Sequence, residues 1–185
     1  MTTVSAPGPA THAELVAELR RLEDALQRAQ ARLLALGGEA LPGLHLLVEA
    51  GGHRGVLPAG RVVEVVRLVA TRPLAGAPPH VLGTFVCRGA PVVAVDLAAL
   101  VGAPREPGID AQIVILAGVP SVGLVVDRVA RLVEAPRLFA GDVAAATPEA
   151  WRGSPMVAGL CVDGGEVLPV IDPTPVVADL AGRAA

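Results

Sequence analysis

An internal repeat is the feature of this sequence that most constrains its fold. The segment GTFVCRGAPVVAVDLAALVG at residues 83–102 returns as GLCVDGGEVLPVIDPTPVVA at residues 159–178. Self-similarity over this distance indicates a duplicated module, with the two copies related by a pseudo-two-fold axis. At an offset of 76 the matched positions are Gly83 with Gly159, Gly89 with Gly165, Val92 with Leu168, Val95 with Ile171, Asp96 with Asp172 and Leu100 with Val176.

A second pair of segments extends the repeat upstream. GVLPAGRVVEVV, which begins at residue 55, aligns with GLVVDRVARLV, which begins at residue 123, and Arg61 then stands opposite Arg128 after one gap. Both copies also hold a turn between two apolar runs, CRGAPV in the first and CVDGGEV in the second. Asp163 and Gly164 form an Asp-Gly hairpin signal. We therefore predict that each copy closes with the same β-hairpin.

Short β-branched runs separated by Gly and Pro indicate all-β structure from Leu41 onward. The runs fall into two sets of five, and we expect one barrel from each set. The first barrel is predicted over about 44–104 and the second over about 111–180. The predicted strands are 44–50, 54–58, 62–68, 84–88 and 91–95, then 112–117, 121–126, 129–134, 159–163 and 166–171.

The N-terminal part of the chain has a different pattern. Residues 1–10 are predicted to be a disordered tail, and THAE from Thr11 is typical of a capping box that begins a helix. The predicted helix covers 11–37 and ends at Gly37 and Gly38. Either the helix lies on its own domain or it self-associates as a coiled coil, and the sequence leaves both alternatives open. The apolar seam, spaced by four and three residues in turn, is Leu15, Leu19, Leu22, Leu26, Ala29, Leu33 and Leu36.

Composition excludes several classes of function. With 15 basic and 18 acidic residues the net charge is −3, and the chain has two Phe, one Trp and no Tyr, so we expect no nucleic-acid binding. The apolar stretch 113–126 is too short to span a bilayer and contains Gly118 and Pro120, so we expect two buried strands there and no direct membrane insertion. The first residues lack a secretory signal pattern and the two Cys fit reduced thiols, which predicts a cytoplasmic protein.

Catalytic and metal-binding patterns are weak. Asp96 and Asp172 occupy equivalent places in the repeat, as the two carboxylates of an aspartic-protease dyad would. Their contexts, DLAAL and DPTPV, lack the tight turn of such a site, and each Asp is predicted instead to cap a short helix after a strand. The four His have no metal-ligand spacing. We therefore expect no enzyme activity, metal or cofactor, with a hydrolase that uses Asp96 and Asp172 as the remaining alternative of another class.

Arg88 and Glu64 are charged residues in apolar surroundings. Arg88 comes directly before the glycine of the first hairpin, where it can cover the barrel rim with its aliphatic stem or present its guanidinium to a partner. Glu64 interrupts the run VVEVV on a strand that can lie at a sheet edge. The residues themselves leave a structural and a binding role open for both.

The motifs together resemble the CheW-like domain family, the coupling module of bacterial chemotaxis. VLGTFVCRGAPVVAVDLAALVG is similar to the family's hairpin signature, and GVLPAGRVVEVV, GLVVDRVARLVE and VAGLCVDGGEVLPVID are similar to other family segments in the same order. The resemblance defines a domain over about 41–182 and implies two five-stranded SH3-like barrels. It also implies a non-catalytic adaptor between the cytoplasmic tip of a chemoreceptor and the regulatory domain of a histidine kinase.

The resemblance further implies which residues bind partners. The family's hairpin Arg falls on Arg88, with its flanking glycines on either side, and Val86 stands where the family usually has an Asn able to hydrogen-bond at the turn. That departure leaves a divergent CheW-like scaffold in a non-flagellar pathway as the alternative function. The implied partner-binding positions are Val62, Glu64, Gly83, Arg88 and Gly89.

Overall fold

The computed structural model describes residues 12–35 and 37–184, which form mainly β-structure. The helices are α1 (His12–Ala35), α2 (Leu97–Leu100), α3 (Val143–Ala146) and α4 (Thr174–Ala184). The strands of the first half are β1 (Gly37–Ala40), β2 (Leu44–Ala50), β3 (His53–Pro58), β4 (Val62–Arg67), β5 (Val81–Cys87) and β6 (Ala90–Asp96). Those of the second half are β7 (Gln112–Leu116), β8 (Val122–Val126), β9 (Arg128–Glu134), β10 (Arg137–Phe139), β11 (Val157–Asp163) and β12 (Glu166–Ile171).

The strands form two sheets. One has five strands in the order β4-β7-β8-β6-β5, and the other has seven in the order β9-β2-β3-β12-β11-β10-β1. The pairs β6–β8 and β3–β12 are parallel, whereas the other neighbours are antiparallel. The predicted pair of five-stranded SH3-like barrels fits this architecture, although neither sheet is a closed barrel.

Each sheet takes strands from both halves of the repeat. The β2–β3 hairpin lies between β9 and β12, and the β7–β8 hairpin lies between β4 and β6. The exchange is reciprocal, since β4, β7, β8, β6 and β5 correspond in order to β9, β2, β3, β12 and β11. The ranges 44–104 and 111–180 therefore do not coincide with the two sheets. A sequence pattern locates strands, but a parallel pair needs a partner that is distant in the chain.

The repeated hairpins are present as predicted. β11 begins 76 residues after β5, and β12 begins 76 residues after β6. Both hairpins contain a β-bulge at the same place, between Val81 and Gly83 in the first and between Val157 and Gly159 in the second. Bulges increase local twist and bend a strand, so both hairpins are irregular at the equivalent position.

Three clusters of buried apolar side chains hold the sheets together. The largest joins both sheets and includes Leu57, Leu124, Trp151 and Ile171. A smaller cluster around Leu47, Val56 and Leu168 lies in the seven-stranded sheet, and another around Phe85, Val92 and Ile113 lies in the five-stranded sheet. Each sheet therefore has its own interior, and a shared core fixes one sheet against the other.

The N-terminal helix differs from its predicted range at its end. Gly37 and Gly38, expected to end the helix, begin β1, which pairs with β10. The four leucines of the seam from Leu15 to Leu26 are 58–61% exposed, so this part of α1 does not lie on its own domain. The predicted tail 1–10, Thr11 and Leu36 lie outside the described residues. Among the described helices, none combines the length and apolarity needed to span a membrane.

Candidate functional site

The two end strands of the five-stranded sheet, β4 and β5, are joined by side chains. Arg88 donates from Nε and Nη2 to Oε2 of Glu64, at 3.1 and 2.9 Å, and the Cys87 thiol donates to Oε1 of the same carboxylate at 3.4 Å. We call Glu64, Cys87 and Arg88 the edge cluster. The sheet therefore curls until its ends meet through side chains, without backbone pairing between β4 and β5.

The turn that carries Arg88 has an unusual backbone. Arg88 and Gly89 have φ values of 48° and 81°, which is the pattern of a two-residue type I′ hairpin turn. A side chain at the first of these positions is uncommon. In the second hairpin the equivalent positions are Gly164 and Gly165, with φ values of 57° and 81°, so the repeat forms the same turn with glycine. The hairpin therefore does not need an arginine there, and Arg88 holds a backbone conformation that glycine adopts at lower cost.

The side chains of the edge cluster shift one another's pKa values. The hydrogen bond from Arg88 is the main reason that the pKa of Glu64 is lowered, and the thiol of Cys87 contributes. Burial and the neighbouring Glu64 raise the pKa of Cys87. The Glu64 side chain is 20% exposed and that of Arg88 is 80% exposed. The carboxylate thus anchors one side of the guanidinium, and the rest of the guanidinium faces solvent.

An apolar groove lies beside the edge cluster. It has a volume of about 540 Å³ and runs between β4, the segment that follows β4, and β5. Val86 on β5 is 72% exposed at its rim. The side chains that line it include Val66, Val69, Arg72, Phe85, Val86 and Pro91.

The outer face of β4 adds to this apolar surface. Val63 and Val65 are 61% and 39% exposed, whereas Val62, Glu64 and Val66 alternate with them and are half-buried. Val63 and Val65 were not among the predicted site residues. The alternation in VVEVVR was the available signal, because successive side chains of a strand point to opposite faces.

Comparison with known proteins places the chain in a family. A model of the CheW-like domain matches residues 44–181. The chain belongs to the CheW-like domain family. Its fold is similar to that of the scaffolding protein TtCheW from Thermoanaerobacter tengcongensis, with a TM-score of 0.58 and 20% identity over 71% of this chain and 85% of that one. No curated protein matches the sequence.

The CheW-like domain brings together some of the predicted site residues. Arg88 and Glu64 are bonded to each other, and Gly89 lies in the same turn. Val62 packs against the shared core, and Gly83 is buried in the β5 bulge with a φ of 135°. The exposed surface around the edge cluster comes from other side chains, and a partner-binding role of Val62 and Gly83 stays a prediction.

The second half of the CheW-like domain has an equivalent contact, in which a basic residue stands at the position of Glu64. Arg131 on β9 forms an ion pair with Asp163 at the end of β11, and by the repeat Arg131 corresponds to Glu64 and Asp163 to Cys87. In that sheet β10 pairs with β11 and covers its edge. In the five-stranded sheet, by contrast, the outer edge of β5 carries a single bridge, from Arg72 to Thr84, in the part of the chain that the structure describes.

The two equivalent aspartates cap helices, as predicted. Asp96 accepts a hydrogen bond from the Ala98 amide at 2.9 Å, and burial raises the pKa of its carboxyl group. Asp172 accepts from the amide and hydroxyl of Thr174 at 2.9 and 2.6 Å, and these bonds lower the pKa of Asp172 against the opposing effect of burial. Asp96 is the last residue of β6 in the five-stranded sheet, and Asp172 follows β12 in the seven-stranded sheet. Both are engaged in capping, so this geometry lends no support to a catalytic dyad.

Metal-ligating side chains are dispersed. Within residues 12–35 and 37–184, no group of three or more His, Cys, Asp or Glu is arranged to hold a metal ion. The features of the CheW-like domain that stand out are therefore surface features: a strained arginine, a partly buried carboxylate and an apolar groove between two strand edges.

Proposed function

We propose that this protein is a non-catalytic adaptor that couples chemoreceptors to a chemotaxis-type histidine kinase in the cytoplasm. Its partners would be the regulatory domain of the kinase and the cytoplasmic tip of the receptor. Membership of the CheW-like family supports this class of function. The observation that carries the proposal is Arg88, held in a left-handed conformation and paired with Glu64 beside an exposed apolar groove.

The edge cluster suits recognition of a protein partner. Arginine is enriched among residues that dominate binding energy, especially beside apolar surface that excludes water. Glu64 keeps the Arg88 guanidinium in one orientation, so less side-chain freedom is lost when a partner binds. Val63, Val65 and Val86 supply apolar area around it. A charged group at the centre of such a patch fixes the register of the partner.

Binding to the kinase regulatory domain from the same organism tests the proposal. We expect Arg88→Ala and Glu64→Ala each to weaken binding more than about tenfold, with thermal unfolding confirming that both variants fold. Arg131→Ala is the matched control, because it removes the equivalent ion pair of the other sheet, and we expect it to bind almost as the wild type does. Absence of wild-type binding to any kinase regulatory domain encoded nearby, or equal losses in all three variants, contradicts the proposal.

A divergent scaffold in a non-flagellar pathway is the second candidate, and Val86 favours it. An exposed Val stands at the groove where the family usually has an Asn, so the apolar surface is larger and a hydrogen-bonding group is missing. The Val86→Asn variant distinguishes the two candidates. Tighter binding to the chemoreceptor tip supports the chemotaxis adaptor, and unchanged or weaker binding supports the divergent scaffold.

A further inference from the structure

We propose that α1 of one chain packs antiparallel against α1 of a second copy, forming a two-helix coiled coil with one CheW-like domain at each end. The observation behind the proposal is the exposed apolar stripe of α1. It does not depend on the proposed coupling function, because the contact uses no residue of the edge cluster.

The exposed stripe has the spacing of a coiled-coil seam. Leu19 and Leu26 occupy a positions of the heptad, and Leu15 and Leu22 occupy d positions, all four more than half exposed. Over its 24 residues the helix is about 36 Å long. A helix with such a stripe gains its stability by burying the stripe, and a second copy presents an identical one.

The charges beside the seam favour the antiparallel orientation. In a parallel dimer each g position faces the following e position of the other chain, so Glu18 would meet Glu23 of the second copy twice. In the antiparallel register that overlaps the whole helix, Leu22 lies opposite Leu26, and the g position Glu18 lies opposite the g position Arg32. That register forms two attractive pairs and a single Glu23–Glu23 contact at the two-fold axis, whereas the parallel one forms two repulsive pairs.

The attachment of the domain also favours this orientation. α1 ends at Ala35 and β1 begins at Gly37, so one residue separates the helix from a strand that is paired with β10. Packed helices lie about 8–10 Å apart, and a domain of this size has a radius of gyration of about 15 Å. A parallel dimer would crowd both domains at one end, whereas an antiparallel dimer separates them by the length of the helix.

Sedimentation equilibrium of the full chain tests self-association. The monomer mass is 18.7 kDa, and we expect the wild-type mass to approach twice this value as concentration rises. Leu22→Asp should remain monomeric, and it should fold because the side chain is 61% exposed. Ala17→Asp adds the same charge on the opposite face of α1, where the helix is also exposed, and should dimerise as the wild type does. A monomeric wild type at every concentration, or equal loss in both variants, overturns the proposal.

A charge reversal at position 18 tests the orientation. In the antiparallel dimer, Glu18→Arg replaces two attractive pairs by two repulsive ones, and we expect the dimer dissociation constant to rise about tenfold. The same substitution would create Arg–Glu pairs in a parallel dimer, so tighter association overturns the antiparallel arrangement. Adding Arg32→Glu to Glu18→Arg should restore the wild-type constant, and failure to do so contradicts the assigned register.

Discussion

Replacement of Gly83 by Ala is expected to destabilise the fold strongly. Gly83 has a φ of 135°, which side-chain-bearing residues rarely adopt, and a Cβ built on it would lie 2.3 Å from the carbonyl oxygen of Arg72. That oxygen belongs to the backbone, so the clash can be relieved only by moving the Arg72 segment away from β5. Arg72 and Thr84 exchange two backbone hydrogen bonds, at 2.7 and 2.8 Å, and both would be weakened by that movement.

The loss of stability follows from the backbone strain at position 83 and from the two weakened hydrogen bonds. A strained backbone position costs about 1–3 kcal/mol, and each backbone hydrogen bond contributes about 1 kcal/mol. The free energy of unfolding should therefore fall by about 3–5 kcal/mol. For a chain of this length each kcal/mol lowers the melting temperature by about 2–4 °C, so we expect a loss of about 6–20 °C.

Gly159→Ala is the matched control for this prediction. Gly159 occupies the equivalent bulge of the second hairpin, but it has no left-handed φ and nothing lies within 4 Å of an added Cβ. We expect its free energy of unfolding to change by no more than about 0.5 kcal/mol. Thermal and urea unfolding of both variants measure the difference. Equal stabilities of the two variants would refute the assignment of Gly83 as a position that only glycine can fill.

Three further outcomes are expected. Arg88→Gly should melt no lower than Arg88→Ala, because glycine relieves the left-handed turn position that Gly164 already fills, and a lower melting temperature for the glycine variant would contradict this. Burial lowers the pKa of His45, so the imidazole binds a proton at higher pH in the unfolded state than in the folded state. Stability should therefore fall as pH drops below about 6.5. Stability measured against pH should be flatter for His45→Gln, and an unchanged slope would argue against His45. Burial raises the pKa of Cys161 to about 12, so only Cys87 should react with a thiol reagent in the native state. Glu64→Ala should speed that reaction, because Glu64 helps to raise the pKa of Cys87. Labelling of Cys161 at the same rate as Cys87, or slower labelling of Cys87 in the variant, would contradict these assignments.

Local features of this fold could be predicted from sequence, because local chemistry determines them. Turn residues and alternating apolar runs located both hairpins, and the offset of 76 between them holds for the strands themselves. The pairing of β3 with β12 could not be predicted in the same way. It joins Val56 to Val170, and a contact over that separation depends on the packing of the whole chain, not on the pattern of either strand.

The candidate site shows the same division. Arg88 and Glu64 were identified separately, through the family resemblance and as charges in apolar surroundings. Their bond was not predicted, because they lie at opposite ends of one sheet and meet only when that sheet curls. β1 was also missed. Gly37 and Gly38 are typical of a helix end, and pairing with β10 overrides the low strand propensity of glycine.

The duplication preserves the framework of the domain but not its surface. Strand order, bulges and hairpins repeat across the pseudo-two-fold, whereas the contact between the sheet edges changes from Glu64 with Cys87 to Arg131 with Asp163. Only the second half covers its edge with β10. Two identical faces would select the same partner twice, because specificity is a difference in affinity between partners. Faces that differ in charge and in edge exposure can select two different partners at once, which is what the proposed adaptor function requires.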